Sequence, residues 1–219
     1  MEPFVTLESV AAPLPEAGID TDVIFPARFL LLLDRAGLGR HLFHERRHAR
    51  PPGSPPFVLD RPPHDRARIL VTGPDFGIGS SREQAVWALA DFGIRCIIAP
   101  SFGEIFHANC FRNGLLPVTL PPADHARILA EAEAARPLVV DLPAQTIRLA
   151  GGERIGFAIE PHRRQALLEG LDEIALLLRE DADAIGAFEA RQRAQRPWLF
   201  LTREQLSHFD DLTETPANG

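Results

Sequence analysis

Residues 77–83 read Gly77-Ile78-Gly79-Ser80-Ser81-Arg82-Glu83, the stretch whose side chains and spacing are best suited to chemistry. A helix starting here would present unpaired amides and the positive end of its dipole. Gly77 and Gly79 would let a ligand approach the backbone closely. Ser80 and Glu83 have the spacing of a capping box, each side chain bonding the other residue's amide. Arg82 then falls in the first helical turn, where a cation opposes the dipole unless an anion arrives. Together these features describe a pocket for a carboxylate or phosphate. No Lys-Ser/Thr follows the glycines, so this is no P-loop, and the GxGxxG spacing is also missing. The plainer reading, a cap beside a solvated arginine, stays open on the local pattern.

Asp20-Thr21-Asp22 is the second candidate. On an extended segment its two carboxylates point the same way and can orient a catalytic group or hold a cation. The alternative is a turn with a helix cap. His41, His44 and His48 have spacings that could serve a metal. They border a Pro/Arg-rich loop with no cysteine nearby, and are read as solvated surface. Cys96 and Cys110 fall in an apolar strand and on an apolar helix face, and are read as small core residues. No metal ligand is assigned.

The elements that must position these residues are clearest in the middle of the chain. Ile69–Thr72 reads as a buried strand and Gly73–Gly79 as a loop. The following helix turns Val86, Leu89 and Ala90 to one face and stops near Gly93. Ile94–Ala99 is a second buried strand. This is the length of a βαβ unit, which implies parallel strands and a right-handed crossover. Ser101 is expected to cap a helix with Phe102, Ile105, Phe106 and Cys110 inward, ending at Asn113-Gly114. Phe4–Val10 is expected as a first strand, with a turn around Pro13, Pro15 and Gly18. Leu115–Leu120 is expected as a further strand, and Asp124–Arg136 as an amphipathic helix. Strand candidates follow at 138–142, 147–149 and 155–159. Helical periodicity runs over 162–193 with breaks at Gly170 and Asp181. Residues 44–66 are read as an exposed loop around Phe57-Val58-Leu59. The tail beyond Gln195 is mixed, and 213–219 are expected to fray.

The chain has 219 residues, a net charge of -7 and two cysteines. The acidic balance argues against nucleic-acid binding, which needs a basic footprint. No apolar run is long enough for a transmembrane helix, so no membrane partner is expected. The first residues show no signal peptide, and a reducing compartment, the cytoplasm, is expected. Two cysteines cannot hold a [4Fe-4S] cluster, which takes three or four thiolates.

Taken together, these segments resemble the small subunits of 3-isopropylmalate dehydratase, aconitase-family enzymes of leucine biosynthesis. The resemblance rests on Asp20–Pro26 with Phe29-Leu30, on Asp75–Glu83, on Ala99–Phe102 with Ile105-Phe106, and on Asn109 with Asn113–Pro117. Arg163-Arg164 and Gly170–Ile174 add to it. Many relatives carry Asn, Cys and His where this chain has Asp75, Ile78 and Gln84. Those departures leave the Ser-Ser-Arg core intact and bear on the substrate.

The resemblance implies an α/β fold, a swivelling β/β/α domain like the fourth domain of aconitase. Its mostly parallel sheet would be flanked by helices over residues 1–193, with a partly disordered C-terminal extension over 194–219. It implies no cofactor on this chain, and a large-subunit partner that holds a [4Fe-4S] cluster. The expected reaction interconverts 2-isopropylmalate and 3-isopropylmalate through 2-isopropylmaleate. Ser80, as its alkoxide, would take the proton, and Asp22 would orient a residue of the partner. Gly79, Ser81 and Arg82 would grip the dicarboxylate. The run Leu31–Leu33, and so Leu31 and Leu32, would wall the isopropyl group, with Arg28 or Arg35 on a second carboxylate. Two alternatives remain. One is a related hydro-lyase acting on homoaconitate, citraconate or dimethylmaleate. The other is a non-catalytic interaction module.

Overall fold

The computed structural model describes residues 1–207, apart from Leu33 and Pro52. The expectations for Leu33 and for 213–219 lie outside the described residues. The chain divides into two compact units, Met1–Glu173 and Ile174–Gly219, ahead of the boundary at 193 expected from the resemblance.

The first unit is built on a seven-stranded mixed sheet in the order β4-β3-β2-β1-β5-β6-β7. Its parallel part comprises β1 (Thr6–Leu14), β2 (Ile69–Thr72), β3 (Cys96–Ala99) and β4 (Leu116–Thr119). β5 (Pro137–Asp141), β6 (Thr146–Arg148) and β7 (Arg154–Gly156) extend it antiparallel. β1 joins the two parts. Thr6–Val10 pair with β5, and Ala11–Leu14 pair with β2. The strand therefore runs through Pro13, where a turn was expected. Proline is tolerated there because the pairing with β5 ends at Val10, so the side of the strand to which Pro13 would offer an N–H has no partner strand.

Every residue of β2 and β3 is buried. That is the burial expected of parallel strands covered on both faces, and it explains their unbroken apolar runs. Leu70, Ile97 and Ala99 face a core shared with α3 (Glu83–Phe92) and α4 (Glu104–Arg112). Ile69, Val71, Cys96 and Ile98 face a second core with α5 (Pro122–Glu133) and α6 (Pro161–Glu169). The period-2 alternation of strand side chains thus separates two cores across one sheet. The short α1 (Thr21–Ile24) and α2 (His44–His48) lie in the long connection between β1 and β2.

That connection is better packed than expected. Val58 and Leu59 are buried, and so are Leu38, Leu42 and Phe43. His41 and His44 are half-buried rather than solvated. The His41 ring stacks on Phe29 with centroids 4.1 Å apart, and His44 lies 4.9 Å from the same ring. Burial is the main cause holding both imidazoles below their ordinary pKa, with neighbouring cations adding to it. These rings are packing partners of Phe29.

The second unit holds α7 (Glu173–Glu180) from its second residue on, α8 (Ala182–Gln195) and α9 (Arg203–Ser207). The helical breaks fall where the pattern placed them. Gly170 takes a left-handed φ of 67° after α6, and α8 starts after Asp181. No helix of the described residues is long and apolar enough to cross a membrane.

Candidate active site

The loop after β2 is clamped from two sides. On one side Gly77 N–H donates to Ile19 O at 2.7 Å and Thr21 N–H donates to Ile78 O at 3.0 Å. On the other, Phe76 N–H donates to Ser101 O at 3.2 Å and Gly103 N–H donates to Phe76 O at 2.9 Å. These bonds join segments that leave the ends of β1, β2 and β3, the edge where parallel α/β sheets place their sites. Asp75 takes a left-handed φ of 58°, a conformation Asn and Asp adopt more readily than other side chains. Its amide donates to Ser101 Oγ at 2.8 Å, and that hydroxyl donates to Asp75 Oδ1 at 2.7 Å. Ser101 therefore braces the loop and does not cap α4, whose N-cap is Gly103.

The capping box is not formed either. α3 begins at Glu83 with Arg82 as an N-cap that makes no side-chain cap bond. Ser80 instead starts a tight turn. Its carbonyl accepts from the Arg82 amide at 2.8 Å and from Thr21 Oγ1 at 2.8 Å. The Ser80 side chain is left exposed. Its hydroxyl has no partner among the described residues, and neither the Ser80 nor the Ser81 amide has a backbone acceptor there.

Asp20 and Asp22 diverge rather than point together. Asp20 is the N-cap of α1, and its Oδ1 accepts from Val23 N–H at 2.8 Å. Asp22 sits within α1 and pairs with Arg82 Nη1. The plainer reading thus holds for Asp20, while Asp22 is aimed at the anion-binding candidate.

A cleft of about 230 Å³ opens here. It is lined by Gly79, Ser80 and Arg82 from the loop, Thr21 from α1, and Glu104, Ile105 and Asn109 from α4. Of the residues expected from the sequence, Gly79, Ser80 and Arg82 line the cleft, Asp22 reaches it through Arg82, and Ser81 is exposed beside it. Leu31 is 90% exposed and Leu32 is 36% exposed, and neither lines this cleft. Arg28 pairs with Glu45 and lies over Phe29. Arg35 lies 4.3 Å over the Trp87 ring and reaches Asn113 Oδ1 at 3.4 Å. The structure therefore does not bring Leu31, Leu32, Arg28 or Arg35 to the serine.

Sequence reasoning missed Thr21, Ile105 and Asn109 as site residues. Ile105 was expected inward and is 52% exposed on the cleft rim. Asn109 gave a usable signal, a polar residue three after Phe106 on the helix's apolar stripe.

Gly77 lines the cleft and also serves packing. A Cβ there would lie 2.2 Å from Phe106 Cγ, at a φ of 75°. Gly77→Ala is expected to destabilise the chain by about 2–4 kcal/mol, combining backbone strain with overpacking. Urea denaturation measures this, and a change under about 0.5 kcal/mol would show that the loop relaxes freely.

The thiols do not suit a cluster. Cys96 and Cys110 are buried in the two separate cores, and burial pushes both well up from the usual thiol range. Such thiols stay protonated and make poor ligands. Among the described residues no group of three or more His, Cys, Asp or Glu side chains could hold a metal ion.

The mixed α/β sheet with helices on both faces is the fold of an aconitase-type swivelling domain. The profile of aconitase C-terminal domains matches residues 1–123. The profile LeuD_N matches 126–161, and the profile for the C-terminal domain of 3-isopropylmalate dehydratase small subunits matches 174–202. Curated relatives agree. The 3-isopropylmalate dehydratase small subunit of Paramagnetospirillum magneticum is 48% identical over 202 residues, covering 91% of this chain and 100% of that protein. The one from Xanthobacter autotrophicus is 49% identical over 203 residues, with 91% and 100% covered. The solved structure of 3-isopropylmalate dehydratase (leuD) from Methanocaldococcus jannaschii superposes with a TM-score of 0.62 at 25% identity, covering 83% of this chain and 99% of that one. The chain belongs to the family of 3-isopropylmalate dehydratase small subunits. The family match runs through residue 202, so it includes the start of the stretch set apart as an extension.

Proposed function

We propose that this chain supplies the proton-transferring half of a hydro-lyase active site, completed by a large subunit. The reaction is the interconversion of 2-isopropylmalate and 3-isopropylmalate through 2-isopropylmaleate, a step of leucine biosynthesis. The observation that carries the assignment is the exposed Ser80 hydroxyl, unpartnered among the described residues, on the rim of a cleft that also holds Arg82.

Arg82 grips one carboxylate of the diacid and Asp22 fixes the guanidinium. The Ser80 hydroxyl, as its alkoxide, accepts the proton from the carbon next to the departing hydroxyl and returns it when water is regained. Nearby amides and the Arg82 charge favour that anion. A [4Fe-4S] cluster belongs, on this reading, to the large subunit. Ile78 and Ile105, exposed on the cleft rim, take the place of Leu31 and Leu32 as the wall for the isopropyl group. One such wall discriminates by about 1–3 kcal/mol, so changing few residues would retune the substrate.

The test is a comparison of diacids on the pair reconstituted with its large subunit. Turnover of 2-isopropylmalate should exceed that of homoaconitate, citraconate and dimethylmaleate. Turnover of one of those three with none of 2-isopropylmalate would replace the substrate assignment.

A further inference from the structure

The cleft has a second polar wall that the reaction outlined above does not use. Asn109, in the second turn of α4, is only 6% exposed and lines the cleft with Ser80 and Arg82. Its backbone carbonyl accepts from Asn113 Nδ2 at 2.9 Å, whereas its carboxamide has no partner among the described residues. The carboxamide atoms are not sealed in the core but open onto the cleft, where a ligand can supply the hydrogen bonds the chain does not. The N-terminal turn of the same helix is also bare. Gly103 caps it without a side chain, and the amides of Glu104, Ile105 and Phe106 have no acceptor among the described residues. A capping Ser or Asp cannot be built at 103, because a Cβ would lie 2.4 Å from Gly77 O. The tight packing of the two loops thus forces an uncapped helix end onto the cleft. Helical side chains lean toward the N-terminus, so the Asn109 carboxamide inclines toward those free amides. The Glu104 side chain is exposed and can turn to solvent.

We propose that Asn109 and the first turn of α4 form the second carboxylate subsite of the cleft, opposite Arg82. The Asn109 carboxamide donates to the carboxylate, and the bare amides and helix dipole complete the grip. This assignment rests on the function proposed above. It gives a dicarboxylate two separated anchors, the role that Arg28 and Arg35 cannot fill from their places in the fold.

The experiment uses the reconstituted pair with 2-isopropylmalate, comparing wild type with Asn109→Leu and Asn109→Asp. Both variants should raise KM at least ~10-fold, the scale of one lost hydrogen bond to a charged group, and keep kcat within ~3-fold. The full chain carrying Asn109→Leu should melt no lower than wild type, since the carboxamide makes no hydrogen bond among the described residues that the substitution could break. A merely structural asparagine predicts the reverse, a lower melting temperature with KM unmoved. KM unchanged in an active pair, or a loss confined to kcat and melting temperature, overturns the subsite alone. A wild-type pair that does not turn over 2-isopropylmalate overturns the proposed function and the subsite with it.

Discussion

Ser80→Ala in the reconstituted pair should lower kcat by at least ~10², the scale of a lost general base, with KM for 2-isopropylmalate nearly unchanged. The size of this effect follows from what Ser80 does not do in the fold. Its side chain is exposed and its hydroxyl bonds no other group among the described residues. The backbone at this position is held through the Ser80 carbonyl, by Thr21 Oγ1 and the Arg82 amide. Alanine keeps both bonds, so the loop and the melting temperature should be preserved. A kinetic loss without a structural loss isolates the hydroxyl as the reacting group. Had Ser80 capped α3, as the sequence pattern suggested, the same substitution would cost about 1 kcal/mol of stability. The two readings are thus separated by one melting curve and one rate. Wild-type kcat in Ser80→Ala would make the chain an interaction module.

The parts of this architecture that were legible in the sequence are those set by local pattern. β2, β3 and α3 could be placed because two-sided burial writes a continuous apolar run and an amphipathic helix writes its own period. The breaks at Gly170 and Asp181 were readable for the same reason. The site was harder, because tertiary bonds decided its details. Ser80 and Glu83 carry the spacing of a cap, yet the bond from Thr21, 59 residues away, and the turn at Ser80–Arg82 displaced the helix start. Ser101 likewise bonds Asp75 and does not cap α4. The leucine run invited a functional reading through its apolarity alone, but Leu31 is out in solvent and lines no part of the serine cleft. Asn109 was missed for the opposite reason. One polar residue inside an apolar stripe is a signal, but only the fold shows that the stripe borders a cavity.

Arg82→Lys should lower kcat/KM by about 10–10²-fold, with the charge conserved and the melting temperature unmoved. The Arg82 side chain is largely covered, at 17% exposure, while that of Asp22 is half exposed. A pair with one exposed partner adds little to stability, so its value lies in geometry. Asp22 engages Nη1 alone, which leaves the other guanidinium donors for a carboxylate. A planar fork can hold both at once with fixed angles. An ammonium is a point charge and must share one nitrogen between them. Asp22→Asn tests the same coupling from the other side, since it removes the charge that aims the fork and leaves the fork itself. If positioning is the role of Asp22, the Asp22→Asn and Arg82→Lys effects must fall short of additive in the double variant. The aspartate has little left to aim once the fork is gone. Additive losses would assign Asp22 a separate role toward the large subunit.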